Sequence, residues 1–178
     1  MKVKDNIAEE FNEFSKNYTE DMTNCVPYYL ELLELFTKHL PEGFNPKTIL
    51  DLGCGNGNAV SAITNMFPKA AYTLVDAAPE MLELCKERFP NINANYIESY
   101  FNDFEFHDET YDLIIGGFSL HHCNAEDKQT LYNHIYKALK PKGIFMCSDL
   151  MINKDDEAHE ALVDYCCLLY TSPSPRDA

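Results

Sequence analysis

The segment Ile49-Leu50-Asp51-Leu52-Gly53-Cys54-Gly55-Asn56-Gly57-Asn58 constrains the fold more than any other part of the chain. An apolar run of strand length passes directly into three glycines at alternate positions and then into a helical pattern. Glycines at that spacing let the backbone turn sharply and let a ligand approach to contact distance, where a Cβ would block it. A glycine-rich turn that binds nothing is the competing reading. Three glycines with an aspartate on the strand exceed what a tight turn requires.

The pattern around this segment is a regular alternation. Strands are expected at 48–52, 71–75, 94–97, 111–115 and 143–148, with helices at 58–67, 79–89 and 125–139 between them. Pro79 suits the first turn of its helix, and Asn124 followed by Asp127 has the form of a cap at the start of another. Strands separated by helices of this length require crossover connections, so the expected fold is α/β, a Rossmann-like doubly wound, mostly parallel sheet. Ahead of it, two amphipathic helices are expected at 5–18 and 24–40, with Pro27 in the first turn of the second, and residues 41–46 form a linker. A further helix is expected at 154–170. Ligands in such sheets bind beyond the carboxyl ends of the strands, which directs attention to the residues after Leu52, Val75, Ile97 and Ile115.

At the first of these further positions stands Asp76, 19 residues after Gly57. A carboxylate at the tip of the second strand is placed to accept ribose hydroxyls in dinucleotide and nucleoside sites alike. A solvated loop aspartate is the plainer alternative. The dinucleotide fingerprint is G-x-G-x-x-G, and Asn58 stands where its last glycine belongs, which weakens a pyrophosphate reading.

The glycine segment resembles instead motif I of the class I S-adenosylmethionine (SAM)-dependent methyltransferases, a strand ending D-x-G-C-G-x-G. Three further segments follow in that family's order: Val75-Asp76-Ala77-Ala78-Pro79-Glu80-Met81-Leu82, Tyr111-Asp112-Leu113-Ile114-Ile115 and Ala138-Leu139-Lys140-Pro141-Lys142-Gly143. The resemblance covers residues 48–149. It implies SAM as cofactor, with its amino acid moiety against Asp51, Gly53 and Gly55, its ribose on Asp76, and Gly57 also among the cofactor-binding residues. The adenine would lie between Ala77, Met81 and the loop Ser99-Tyr100-Phe101, where many members carry an acidic residue instead. Tyr100 is no ionised acceptor at neutral pH, so the adenine contact falls to the backbone near Phe101, the Ser99 hydroxyl or Asp103; Phe101 and Phe104 also suit core packing.

After the fourth strand comes Gly116-Gly117-Phe118-Ser119-Leu120-His121-His122-Cys123. Gly117 and Phe118 are assigned to the cofactor side, and His121 or His122 is the nearest base for an acceptor that must lose a proton. Structural histidines are the alternative. Adjacent histidines seldom share a metal and no other ligand spacing is present, so no metal is expected. Tyr18, Tyr28 and Tyr29 are candidates for a substrate pocket or for the core.

Composition bounds the partners. The 178 residues carry 14 Lys and Arg against 29 Asp and Glu, a net charge of −15. That works against capture of a nucleic acid backbone or an anionic membrane and favours a neutral or cationic small molecule. No apolar run reaches membrane-span length, and seven cysteines without a C-x-x-C read as reduced core thiols, so the chain is expected to be cytoplasmic.

The expected organisation is an amino-terminal helical cap and substrate region at 1–46 and a SAM-binding domain at 47–166. The run 167–178 resembles a translated sequencing-adapter scar and is read as a non-native tail. Five expected strands, against the family's seven, suggest a carboxyl-terminal truncation lacking the last two. The activity implied is methyl transfer from SAM to a small-molecule acceptor. Its rivals are a SAM-binding but inactive fragment, an RNA-directed or carboxy-SAM-forming relative, and a nicotinamide-dependent oxidoreductase.

Overall fold

The computed structural model describes residues 8, 9, 11, 12 and 15–149. Residues 8, 9, 11 and 12 are helical, and α1 (Tyr18–Cys25) and α2 (Tyr29–Lys38) follow. Then come β1 (Thr48–Leu52), α3 (Asn58–Thr64), β2 (Ala71–Asp76), α4 (Pro79–Arg88) and β3 (Ala94–Glu98). The described part ends with β4 (Tyr111–Gly117), a 3₁₀ turn (Leu120–His122), α5 (Ala125–Ala138) and β5 (Leu139–Ser148). The five strands form one sheet in the order β3-β2-β1-β4-β5, every pairing parallel. This is the doubly wound sheet expected from the alternation of elements.

Period-two side chains divide the core between the two faces of the sheet. Ile49, Leu74, Leu113 and Ile115 pack with α2, α3 and α4 through Leu33, Phe36, Val60, Ile63 and Cys85. On the other face Leu50, Leu52, Val75 and Ile114 pack with α5 through Leu131, Ile135 and Ala138. Burial on both faces is why the central strands are apolar almost throughout. At the amino ends of the strands, Asp112 Oδ2 accepts hydrogen bonds from the backbone N–H groups of Lys47 (2.8 Å) and Thr48 (3.0 Å) and from Lys140 Nζ (3.1 Å), fastening β4 to β1.

Three expectations are corrected. The helix expected at 5–18 does not run through to Tyr18: residues 15–17 form a turn, and Tyr18 opens α1 instead. Residues 24–40 are not one helix: the chain breaks at Val26-Pro27-Tyr28, where Tyr28 adopts φ 60°, so a separate helix precedes the break. A proline cannot donate the N–H that a continuous helix would need there. β5 begins at Leu139 rather than Gly143, with a register shift that pairs Tyr111 with Leu139 and Leu113 with Ile144. The turn-forming Lys140-Pro141-Lys142-Gly143 occupies that irregularity. The expected helix at 154–170 and the tail at 167–178 lie outside the described residues.

Candidate donor and acceptor site

The carboxyl ends of β1, β2 and β4 converge on a cavity of about 710 Å³. Gly53 turns the chain away from β1 with φ +73°, and a Cβ there would lie 2.3 Å from Ser119 Cβ. Glycine is therefore required twice, once for the left-handed backbone and once for space. The turn is tied to its neighbours by hydrogen bonds. Gly53 and Cys54 donate their N–H groups to the Val75 carbonyl at 2.8 and 3.0 Å, and Gly55 donates to Asp76 Oδ2 at 2.8 Å. Ala78 donates to Asp76 Oδ1 at 2.9 Å, so each oxygen of that carboxylate holds one backbone amide. From the other side, the Ser119 hydroxyl donates to the Leu52 carbonyl at 2.6 Å.

Asp51 is the anomaly of the site. It is 0% exposed, and neither carboxylate oxygen has a hydrogen-bond partner. Burial, and secondarily the charge of Asp76, push its pKa up to about 8. A buried acceptor pair left without a donor is costly, which suits a site that takes up a cation. Burial also raises Asp76, partly offset by the N–H groups of Ala78, Gly55 and Ala77.

Gly53, Gly55, Asp76, Ala77 and Met81 all border the cavity, as do Tyr100, Phe101 and Phe118. Asp51, two residues before Gly53 and fully buried, does not border the cavity. Gly57 and Gly117 are not cavity walls: a Cβ on Gly57 would meet Phe89 at 2.6 Å, and one on Gly117 would meet Ala59 at 3.2 Å. Gly57 instead starts α3 with φ +86°, and Gly117 lets β4 pack against α3. The two histidines separate. His122 borders the cavity, whereas His121 donates from Nδ1 to Asp149 Oδ1 at 2.6 Å, with its ring 4.0 Å from that of His122. Of the adenine candidates, Ser99 and Phe101 border the cavity and Asp103 does not.

The amino-terminal helices supply walls as well. Phe11 and Tyr18 border the cavity, while Tyr28 is 76% exposed and Tyr29 is buried, its hydroxyl accepting from Asn58 Nδ2 at 3.0 Å. Thr19 is the link between α1 and the glycine segment. Its hydroxyl accepts from Asn56 Nδ2 at 2.8 Å and donates to Asn58 Oδ1 at 3.0 Å, and Arg88 Nη1 donates to the same Asn58 oxygen at 2.7 Å. Ser119, Asn124 and Asp127 also border the cavity without having been singled out as site residues. The cap pattern at Asn124 and the rule that sites follow strand ends would together have pointed to them.

Residues 49–143 match the family model described as "Methyltransferase domain". The chain belongs to that family. SAM is the methyl donor of this methyltransferase family, and the glycine turn with its unpartnered acid suits such a cationic ligand. Carboxy-S-adenosyl-L-methionine synthase of Campylobacter jejuni is 28% identical over 153 residues, covering 82% of this methyltransferase-family chain and 63% of the relative. The chain thus spans less than two thirds of that relative's length. The phthiotriol/phenolphthiotriol dimycocerosates methyltransferase of Mycobacterium tuberculosis is 28% identical over 115 residues, covering 65% of this chain and 42% of its own. Among solved structures, the plantazolicin methyltransferase BpumL in complex with SAH superposes with TM-score 0.63 at 20% identity, covering 98% of this chain and 79% of that one. A SAM-dependent methyltransferase of Leishmania major gives TM-score 0.68 at 19% identity, covering 90% and 71%. At these identities the superpositions establish the Rossmann-like methyltransferase fold.

Proposed function

We propose that this protein binds SAM at the glycine turn and transfers its methyl group to a small-molecule acceptor held in the same cavity. The observation that carries the reading is the fully buried Asp51 carboxylate with no partner for either oxygen, two residues before the left-handed Gly53. Asp51 and the turn take the amino acid end of the donor, and the ammonium satisfies the acid. The Asp76 carboxylate, oriented by the N–H groups of Gly55 and Ala78, also accepts the ribose hydroxyls. Ala77, Met81, Tyr100 and Phe101 enclose the adenine. Residues 1–46 are assigned to the substrate region and residues 47–166 to the donor domain.

Bound SAM supplies an electrophilic methyl on a sulfonium whose departure as a neutral thioether needs no general acid. The chain's own work is therefore positioning and exclusion of water, which in favourable cases contributes ~7–11 kcal/mol. Phe118 helps to fix the wall: its backbone holds φ 55°, its N–H donates to the Ser148 carbonyl at 2.7 Å, and its ring packs on Tyr29 with centroids 5.0 Å apart. His122, on the cavity wall, accepts the acceptor's proton; His121, anchored by Asp149, supports its ring. The buried thiols Cys54 and Cys85 and the acidic charge fit a reducing cytoplasm. Among the described residues no helix is long and apolar enough to cross a membrane.

The similarity to carboxy-SAM synthase across 82% of the chain favours one second reading, formation of a carboxylated donor. Calorimetric titration with SAM, followed by mass spectrometry of turnover mixtures with an acceptor panel, separates the two. Uptake of SAM with methylated product supports the first reading, a carboxylated SAM the second, and absence of SAM binding overturns both.

A further inference from the structure

Besides the residues assigned to the donor, the cavity is lined by Phe11, Tyr18, His122 and Asp127. Phe11 meets Tyr18 and His122 edge to face, with centroids 6.0 and 5.3 Å apart, so three rings make a continuous wall. Asp127, half-buried in the first turn of α5, lines the same cavity. Its backbone N–H donates to Asn124 Oδ1, and its Oδ2 accepts from Asn124 Nδ2, each at 2.8 Å, which holds the carboxylate in place.

The charge inventory is one-sided. No Lys or Arg borders the cavity among the described residues, whereas Asp76 and Asp127 do, and Asp51 is buried two residues before Gly53. SAM brings a sulfonium, an ammonium and a carboxylate, a net charge of about +1, against these three acids. An anionic acceptor would add to an uncompensated negative charge in a cavity partly walled by protein, where charges interact more strongly than in bulk solvent. A cationic acceptor would reduce it, and aromatic faces attract cations further.

Resting on the donor reading above, we propose that the part of the cavity lined by Phe11, Tyr18 and Asp127 takes an amine with an apolar or aromatic body, held as its ammonium by the two rings and the Asp127 carboxylate, and that it discriminates against carboxylates. Calorimetric titration of the full chain, first with S-adenosylhomocysteine and then with tyramine or 4-hydroxyphenylacetate, tests this with two probes that share a phenol ring and differ in charge. Tyramine is expected to bind at least 10-fold more tightly at pH 7 and low salt. That preference should shrink in 0.5 M salt and in Asp127→Asn. Equal or tighter binding of the carboxylate, absence of tyramine binding, or a preference unchanged by both salt and Asp127→Asn overturns the proposal. If S-adenosylhomocysteine itself does not bind, the donor reading falls and this one with it. If it binds and no amine preference follows, only the acceptor class is refuted.

Discussion

Asp76 accepts the backbone N–H of Gly55 at 2.8 Å, so the acid at the tip of β2 holds the glycine turn at the tip of β1. Its second oxygen accepts from Ala78 and thereby also fixes the start of α4. Asp76→Ala is expected to remove the ribose acceptor and loosen the turn together, weakening SAM binding at least 100-fold by calorimetry. Asp76→Asn can still accept at its one carbonyl oxygen and should fall between the two. Unimpaired affinity in Asp76→Ala would sink the ribose assignment.

Asp51 makes stability depend on pH in an unusual direction. Its folded pKa, about 8, lies above the ordinary carboxylate value, so the folded state binds more protons than the unfolded one between about pH 4 and 8. Stability of the free protein should therefore be greatest, as far as this group is concerned, below about pH 4 and decline as pH rises through 8. Asp51→Asn removes the buried charge and should raise Tm at pH 8 by about 2–6 °C, while SAM binding weakens. A melting temperature lowered by this substitution at pH 8 would count against the account.

The same residue predicts proton release on ligand uptake. At pH 7 Asp51 is largely protonated in the free protein, and an arriving ammonium replaces that proton. Titration with SAM in phosphate and in Tris, whose ionisation heats differ, should give apparent enthalpies that differ by the heat of close to one proton. Identical enthalpies in both buffers would contradict it.

Gly53→Ala is expected to be severe, because φ +73° and the Ser119 Cβ at 2.3 Å both oppose a side chain. The two effects together cost ~2–4 kcal/mol. Urea unfolding measures the loss, and donor binding should vanish in any protein that remains folded.

Away from the site, Asp112 behaves in the opposite sense to Asp51. Partial burial raises its pKa, but the N–H groups of Lys47 and Thr48 and the Lys140 ammonium outweigh that and hold it below the usual value. Its stabilisation is present above about pH 4 and lost as pH falls through the lowered folded value. Asp112→Asn should cost about 2 kcal/mol at pH 7 and progressively less in acid, as read from denaturant midpoints.

The sheet and the residues that border the cavity at the ends of β1 and β2 are legible in the sequence because their signals are local and periodic. Thr48–Leu52 and Tyr111–Gly117 are apolar because both sheet faces are covered, and Asp76 follows its strand at a position that topology alone makes significant. The helix break at Tyr28 was not legible: Tyr29, Leu33 and Phe36 continue a helical period, and the left-handed residue is an exposed tyrosine rather than glycine. Gly117 looked like a ligand-facing glycine because small residues beside a strand end serve cofactors and helix packing equally. Only the position of Ala59 distinguishes them. The Ser119 bond to Leu52 spans 67 residues and leaves no periodic trace.

Thr19 joins α1 to Asn56 and Asn58, so the helix that carries Tyr18 to the cavity wall is mechanically continuous with the glycine turn of the proposed donor site. Exchange of α1 for the corresponding helix of another family member would therefore retune how long the donor resides, even where no donor-contacting residue changes. On the proposed function, a change of acceptor made through α1 must keep a hydroxyl at that joint or rebuild the loop beneath it to leave the donor site undisturbed.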